Sequence, residues 1–346
     1  MKFLSEETNQ QFYNDGFCRI NLLGHEEIRD LMAFAEETIH ISELQNTSYG
    51  MYVSMEEVHD RRRKIKEYIQ ELVTPKITDH LINYKVHLAG FLIKVHDGTT
   101  YTYPHQDWTF VDNESDHVSA TIWIALSDFD EQNGTLGFVK GSHKFLDFTI
   151  GSPSPIVKTP AMGKHQAILD FMKYEPVTAG EALVFDNKTI HGALPNNGDF
   201  PRIAVGIGVI PEDAQLHHYY LNPKNANELL KMRITDDFFL TYSNHDLMKC
   251  YERGELPGFS EVIGKIENYF KGYPSEEEIV ENCHRFGNVK REAQALYQSL
   301  NEGNTSQDLV DEGIVDGRTF REKYTLVNIF NETRIRLQNM LGHSKT

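Results

Sequence analysis

A Tyr-Pro-His-Gln-Asp-Trp segment at residues 103–108 constrains the fold more than any other part of this chain. It places His105 and Asp107 two residues apart, and in a strand such side chains point to the same face, where both can bind one metal ion. The third ligand is predicted at His191, so the fold has to bring two distant segments together. Two histidines and one carboxylate on one face of an octahedron leave the opposite positions open, which is the arrangement of non-haem Fe(II) oxygenases.

A second pair, His25 and Glu27, has a similar spacing. It lies in a charge-rich segment followed by apolar residues at helical intervals, which predicts a helix N-terminus with acidic side chains facing the helix dipole. We therefore assign this pair to a helix and not to a metal site.

Of the 16 histidines, His191 alone is followed ten or eleven residues later by a lysine or arginine, which is Arg202. Turn-forming residues at 195–199 and an apolar segment at 202–210 predict a hairpin in which His191 ends one strand and Arg202 begins the next. A guanidinium there can pair with a ligand carboxylate through two hydrogen bonds and does not lose its charge. The alternative for Arg202 is a solvated cation at the edge of a strand.

These residues resemble the phytanoyl-CoA dioxygenase-like family of Fe(II)/2-oxoglutarate-dependent oxygenases. Residues 4–17 are similar to the family's first helix and the turn into its first strand. Residues 133–143 are similar to its Asn-Gly and Pro-Gly-Ser-His segment, although Lys140 replaces the proline. The resemblance extends from residue 4 to about residue 211. It implies a mixed α and β fold with a double-stranded β-helix core (jelly-roll, cupin-like) flanked by helices.

The resemblance also implies a set of ligands and cofactors. His105, Asp107 and His191 would bind Fe(II), 2-oxoglutarate would chelate the metal as co-substrate, and O2 would take the remaining position. Arg202 would pair with the distal carboxylate of 2-oxoglutarate.

Three further residues are candidates for binding the co-substrate. Residues 118–126 alternate as in a strand with Thr121 and Trp123 on one face, and the family has a tryptophan here that packs against 2-oxoglutarate. Plain core packing is the alternative for Trp123. Lys94 lies in the apolar segment 86–95, which predicts a central strand. The resemblance allows a basic side chain there to hold 2-oxoglutarate, and the alternative is a lysine at a strand end that reaches solvent.

The chain divides, on this interpretation, into an oxygenase core with N-terminal helices at residues 1–211 and a mostly helical extension at 212–346, packed on the core. Predicted helices of the core are residues 26–41 and 55–73, the latter stopping before a proline. Predicted helices of the extension are residues 259–270, 276–285, 289–300 and 320–341.

Composition excludes several classes of protein. A formal net charge of −17 argues against a nucleic-acid partner, because phosphates require a basic surface. No apolar run reaches 18 residues and the N-terminus lacks a signal-peptide pattern, so we expect no membrane partner and a cytoplasmic location. Three scattered cysteines predict no disulfide framework.

The function expected from these features is oxidation of an unactivated C–H bond in a small or medium organic molecule. Hydroxylation is the default because Asp107 is retained, whereas related halogenases have a small residue at this place. Desaturation and oxidative cyclisation remain open. The alternatives are a non-catalytic metal-binding β-barrel and an oxygenase that acts on a macromolecule.

Overall fold

A computed structural model describes residues 1–44, 51–98, 100–112, 115–268 and 272–291. The helices in these residues are α1 (Glu6–Asp15), α2 (His25–Ile39), α3 (Ile41–Leu44), α4 (His59–Thr78), α5 (Ser142–Phe145), α6 (His165–Leu169), α7 (Phe238–Thr241), α8 (Asn244–Glu252) and α9 (Glu276–Arg285). The strands are β1 (Lys2–Phe3), β2 (Phe17–Asn21), β3 (Met51–Val53), β4 (Leu81–Ile82), β5 (Tyr84–Lys94), β6 (Thr102–His105), β7 (Ala120–Ala125), β8 (Leu136–Phe138), β9 (Lys173–Tyr174), β10 (Glu181–Asp186), β11 (His191–Ala193), β12 (Arg202–Pro211), β13 (His217–Leu221), β14 (Glu228–Ile234) and β15 (Ser260–Glu267).

Two antiparallel sheets form the core. The larger has the order β2-β10-β7-β12-β5-β3, and the smaller has the order β6-β11-β8-β9. Apolar side chains of both sheets meet in one interior cluster, to which β7 contributes Trp123, β10 contributes Phe185 and β8 contributes Phe138. The predicted mixed α and β class is confirmed.

Helices cover the other face of the larger sheet. Ile122 and Ile124 of β7 point outward to this layer, whereas Trp123 points inward, so the predicted alternation of this strand is confirmed. The predicted N-terminal helix is also present as α1, which begins after Ser5, whose side chain accepts a hydrogen bond from the Thr8 amide at 3.3 Å. Gly16 ends α1 with φ at 89°, a conformation that glycine adopts without steric cost.

Helix α2 confirms the prediction for residues 26–41, and Glu27 accepts a hydrogen bond from the Gly24 amide, as expected for a helix N-terminus. The predicted end of the next helix before Pro75 is wrong, because α4 continues to Thr78. Val73 and Ile77, on either side of the proline, are fully buried. Their burial favours continuing the helix and offsets the hydrogen bond that proline cannot make.

The extension is less helical than predicted. Strands β13, β14 and β15 form a three-stranded antiparallel sheet, and β15 occupies most of the segment predicted as a helix at 259–270. A short segment with a few scattered apolar residues fits a strand or a helix equally well, and pairing with β14 selects the strand. Helix α9 confirms the prediction for 276–285. The predicted helices at 289–300 and 320–341 lie outside the described residues, apart from residues 289–291, which are not helical.

The described part of the extension packs against the core. Phe110, two residues after Trp108, belongs to a cluster with Leu230, Met232 and Phe238. A buried cation adds to this interface, since Arg62 of α4 donates to the Leu240 carbonyl oxygen at 3.3 Å and to Asp246 at 3.2 Å. Within the described residues, no helix has both the length and the apolar character needed to cross a bilayer.

Candidate metal centre

The three predicted ligand residues converge between the two sheets. His105 ends β6 and lies opposite His191, which begins β11, and the centroids of the two imidazole rings are 4.2 Å apart. Asp107 Oδ1 lies 3.8 Å from His105 Nε2 and 3.7 Å from His191 Nε2. These separations are too long for hydrogen bonds, and the donor atoms, all within 4.8 Å of one another, surround a point suited to a small cation.

The second ring nitrogen of each histidine is engaged with the backbone. His105 Nδ1 lies 2.8 Å from the Tyr103 carbonyl oxygen, and His191 Nδ1 lies 2.9 Å from the Thr189 carbonyl oxygen. A carbonyl oxygen can only accept, so each Nδ1 carries the proton and each Nε2 keeps its lone pair toward the centre. Histidines that bind metals are oriented in this way.

The Asp107 carboxylate is oriented by hydrogen bonds to one oxygen only. Oδ2 accepts from Thr121 Oγ1 at 3.0 Å and from Asn187 Nδ2 at 2.8 Å, whereas Oδ1 faces the two histidines. The backbone amide of Asp107 donates to the Asn187 carbonyl oxygen at 2.9 Å. The donor set therefore offers two imidazole nitrogens and one carboxylate oxygen, which fits a divalent transition metal.

Two details of the predicted local geometry are wrong. Asp107 lies in the loop after β6, so strand alternation does not align it with His105. His191 begins β11 instead of ending the preceding strand, and β11 and β12 belong to different sheets, so the segment from His191 to Arg202 crosses between sheets and is not a hairpin. Turn-forming residues predict a reversal of the chain but not which sheet the next strand joins.

Burial sets the protonation state of His191. Desolvation, reinforced by the neighbouring His105, lowers the pKa of His191 to about 4. The imidazole is therefore neutral near pH 7, and a neutral imidazole is the form that binds a metal ion.

Arg202 lies inside the core at the start of β12. Its side chain is 2% exposed, Nη1 donates to the Gly134 carbonyl oxygen at 2.7 Å, and the guanidinium lies 5.3 Å from the centre of the Trp123 ring. Nε has no hydrogen-bond partner, and no carboxylate in the described part of the chain forms an ion pair with this arginine. Burial lowers the pKa of Arg202 to about 10, so the group remains a cation near pH 7. A buried cation without an acidic partner is suited to an anionic ligand.

Gly134 positions this arginine through its backbone. Its φ is 82°, and a Cβ at this position would lie 2.8 Å from the Leu194 carbonyl oxygen. A side chain here would displace the carbonyl group that accepts from Arg202, so the Asn-Gly turn recognised in the sequence has a direct effect on the site.

Lys94 does not fit either sequence interpretation. It is fully buried opposite Arg202, and its ammonium donates to the carbonyl oxygens of Thr100 at 3.1 Å, Ala193 at 3.4 Å and Leu194 at 2.9 Å. These three bonds use all three donors of the side chain, so none is left for 2-oxoglutarate and none reaches solvent. Burial first, and the charge of Arg202 second, hold the pKa of Lys94 well below its ordinary value.

Trp123 and Thr121 face the interior, as their alternation predicted, but they make different contacts. Trp123 is 2% exposed and lies against the guanidinium of Arg202. Thr121 donates to the predicted ligand residue Asp107, so its hydroxyl orients the carboxylate.

Sequence reasoning missed two residues that hold the predicted ligand residues or their segments in place. Asn187 binds Asp107, and Gln106 donates to the carbonyl oxygens of Leu146 at 2.7 Å and Lys188 at 2.6 Å. The position of Gln106 between two ligand residues was a signal of this role. Asn187 carried none, because its partner lies on a distant segment.

The fold and the site together define a class of protein, a two-sheet core with a centre of two histidines and one carboxylate beside a buried arginine. The family described as phytanoyl-CoA dioxygenase (PhyH) matches residues 14–204, which is more than half of the chain. The chain belongs to this family. The resemblance to this family that the sequence suggested is therefore confirmed.

Individual relatives are more distant. The chain is 29% identical over 147 residues to "Dioxygenase olcK" of Penicillium canescens, covering 38% of this chain and 44% of that protein. It is 29% identical over 108 residues to "Phytanoyl-CoA dioxygenase domain-containing protein 1" of Danio rerio, covering 29% of this chain and 35% of that protein. The matches thus span less than half the length of either relative. A solved structure, the non-heme alpha ketoglutarate dependent carbocyclase SnoK from nogalamycin biosynthesis, is similar with a TM-score of 0.48 and 21% identity over 62% of this chain and 86% of SnoK.

Proposed function

We propose that this protein is an Fe(II)- and 2-oxoglutarate-dependent dioxygenase that oxidises an unactivated C–H bond of a small or medium organic molecule, with hydroxylation as the default. The observation that carries the proposal is the convergence of His105, Asp107 and His191, whose remaining polar atoms are occupied by hydrogen bonds so that one donor atom of each is left for a metal. The core would be a double-stranded β-helix, as in the family.

The chain's own residues have distinct parts in this reaction. His105, Asp107 and His191 would hold Fe(II). The chemistry supplied there would be oxidation of R–H to R–OH by O2, coupled to conversion of 2-oxoglutarate to succinate and carbon dioxide. Arg202 would pair with the distal carboxylate of 2-oxoglutarate, since it is a buried cation without an acidic partner in the described residues. Trp123, whose ring centre lies 5.3 Å from the guanidinium, would help to hold this cation in place.

Aromatic side chains shield one side of the centre from solvent. The ring of Phe185 lies 4.4 Å from that of His191, and the ring of Phe138 lies 6.3 Å from it. Exclusion of water strengthens the attraction between Arg202 and a carboxylate, and it limits side reactions of an oxidising centre.

A small or medium substrate is favoured by the position of the extension. Phe239 of the extension lies 6.1 Å from Trp108 and 5.4 Å from Phe110, ring centre to ring centre, so it packs against the residues that directly follow Asp107. This packing covers one side of the motif, an arrangement that we take to favour a small or medium substrate over a long polymer.

The test is succinate formation from 2-oxoglutarate by anaerobically iron-loaded protein when air is admitted. We expect Fe(II)-dependent succinate from the natural protein and none from Asp107→Ala. Asp112→Ala is the matched control, because it removes a nearby carboxylate that pairs with Lys231 at 2.7 Å, and it should retain turnover. Equal turnover in Asp107→Ala would remove Asp107 from the ligand set. Absence of both turnover and Fe(II)-dependent 2-oxoglutarate binding in the natural protein would place it among non-catalytic metal-binding barrels.

A further inference from the structure

We propose that Asn187 is a positioning residue that restricts Asp107 to binding the metal through one oxygen and so keeps a coordination position open for O2. The inference rests on the proposed function and extends it to a residue outside the ligand set.

The contacts of Asn187 leave Asp107 one free oxygen. The Asn187 amide nitrogen donates to Asp107 Oδ2 and to Thr121 Oγ1, each at 2.8 Å, and Thr121 Oγ1 donates to the same Oδ2 at 3.0 Å. A carboxylate only accepts hydrogen bonds, so the group that faces it must be the NH2 of the amide and not its oxygen. Both amide hydrogens are thereby used, and Oδ2 is turned away from the histidines.

The backbone of Asn187 restrains the same ligand. Its carbonyl oxygen accepts from the Asp107 amide at 2.9 Å, and the following residue, Lys188, accepts from Gln106 at 2.6 Å. A tight turn closed by a hydrogen bond from the Thr189 amide to the Asp186 carbonyl oxygen at 2.8 Å carries these groups. Because this turn leads directly into His191, one short segment sets the positions of two of the three ligand residues.

Asn187 is held firmly enough for this role. The residue is 2% exposed. Its backbone N–H donates to the Ser119 carbonyl oxygen at 3.1 Å, and this bond ties the turn to the segment before β7. The amide oxygen is buried without a partner in the described residues, so only the NH2 end of the side chain is committed. The functional end therefore faces Asp107.

The number of coordination positions gives this restraint a consequence. Three protein donor atoms and two from a chelating 2-oxoglutarate fill five positions of an octahedron and leave one for O2. If Asp107 bound through both oxygens, the six positions would be full. Loss of the Asn187 amide removes one of the two side-chain hydrogen bonds to Oδ2 and allows that second mode of binding.

The experiment compares Asn187→Ala with Lys188→Ala, a control in the same turn whose side chain pairs with the exposed Asp147. Mn2+ affinity is measured by titration, and access to the open position is measured with nitric oxide, which binds anaerobic Fe(II) protein saturated with 2-oxoglutarate and is detected by electron paramagnetic resonance. We expect Asn187→Ala to retain Mn2+ binding within about tenfold while nitric oxide binding and succinate formation fall by roughly 10- to 100-fold. Lys188→Ala should match the natural protein in all three.

A second pair of variants separates positioning from folding. Thr121→Val should reproduce the loss of nitric oxide binding, and Thr121→Ser, which keeps the hydroxyl, should restore it. The inference would be overturned if Asn187→Ala bound nitric oxide as well as the natural protein does. It would also be overturned if this variant lost Mn2+ affinity and melting temperature without a specific loss of nitric oxide binding. If the natural protein binds Mn2+ and 2-oxoglutarate but forms no succinate, the proposed function is contradicted. The role of Asn187 is then decided by nitric oxide binding in Asn187→Ala compared with the natural protein.

Discussion

Replacement of Arg202 by methionine tests whether this buried cation is the partner of an anionic co-substrate. Methionine keeps an unbranched apolar side chain of similar length, so the change removes the charge with little loss of packing. Loss of one partner of a buried charge pair costs about 2–5 kcal/mol. Since about 1.4 kcal/mol is tenfold in affinity, the dissociation constant for 2-oxoglutarate should rise by roughly 30- to 4,000-fold.

The stability of the ligand-free protein should respond differently. Arg202→Met gives up the hydrogen bond to Gly134 and the contact with Trp123, together about 2 kcal/mol. It also removes a desolvated charge that has no acidic partner in the described residues, which is a gain. We therefore expect the free energy of unfolding to change by less than about 2 kcal/mol, because these effects oppose each other.

Arg62→Met is the matched control, because Arg62 is also buried but is paired with Asp246 and with the carbonyl oxygens of Glu57 and Leu240. It should destabilise the protein by about 1.5–3 kcal/mol, since Asp246 is one-third exposed, and leave 2-oxoglutarate affinity unchanged. Affinity is measured by calorimetry with Mn2+ in place of Fe2+, which prevents turnover, and stability is measured by urea unfolding. A dissociation constant for Arg202→Met within about threefold of the natural value would refute the assignment.

Two further predictions concern buried titratable groups. Lys94→Met should lower the free energy of unfolding, measured in urea, by about 2 kcal/mol, because three carbonyl oxygens lose their donor. It should change 2-oxoglutarate affinity less than Arg202→Met does. A larger loss of affinity in Lys94→Met than in Arg202→Met would return Lys94 to the co-substrate site. Burial lowers the pKa of His218 to about 3, whereas an unfolded chain takes up this proton near pH 6.5, so stability is greatest above pH 6.5 and falls as pH decreases toward 3. Between pH 7 and pH 5, His218 alone should lower the free energy of unfolding by about 2 kcal/mol. His218→Gln, which can keep the bond to Ser152, should reduce this loss by the same amount. An unchanged pH dependence of stability in His218→Gln would contradict the assignment.

Local patterns were sufficient wherever the structure depends on residues close in sequence. Helix α1 after Ser5, the assignment of Glu27 to a helix start and the inward side of β7 with Trp123 all follow from spacing over a few residues. Patterns failed where two local structures are equally compatible with the same residues. Pairing with β14 determined that residues 260–267 form a strand. Burial of one face of α4 in the core determined that this helix continues through Pro75.

The sequence by itself determined the chemical types present at the centre, two histidines, a carboxylate and a following arginine, and through them the family. Only the tertiary structure decided which atoms of those groups are free. Contacts between distant segments decide three features of the site. They leave Asp107 one free oxygen, they leave Arg202 without an acidic partner in the described residues, and they occupy every donor of Lys94. Residue type limits which bonds a side chain can make, but the neighbours brought close by folding determine which of them it does make.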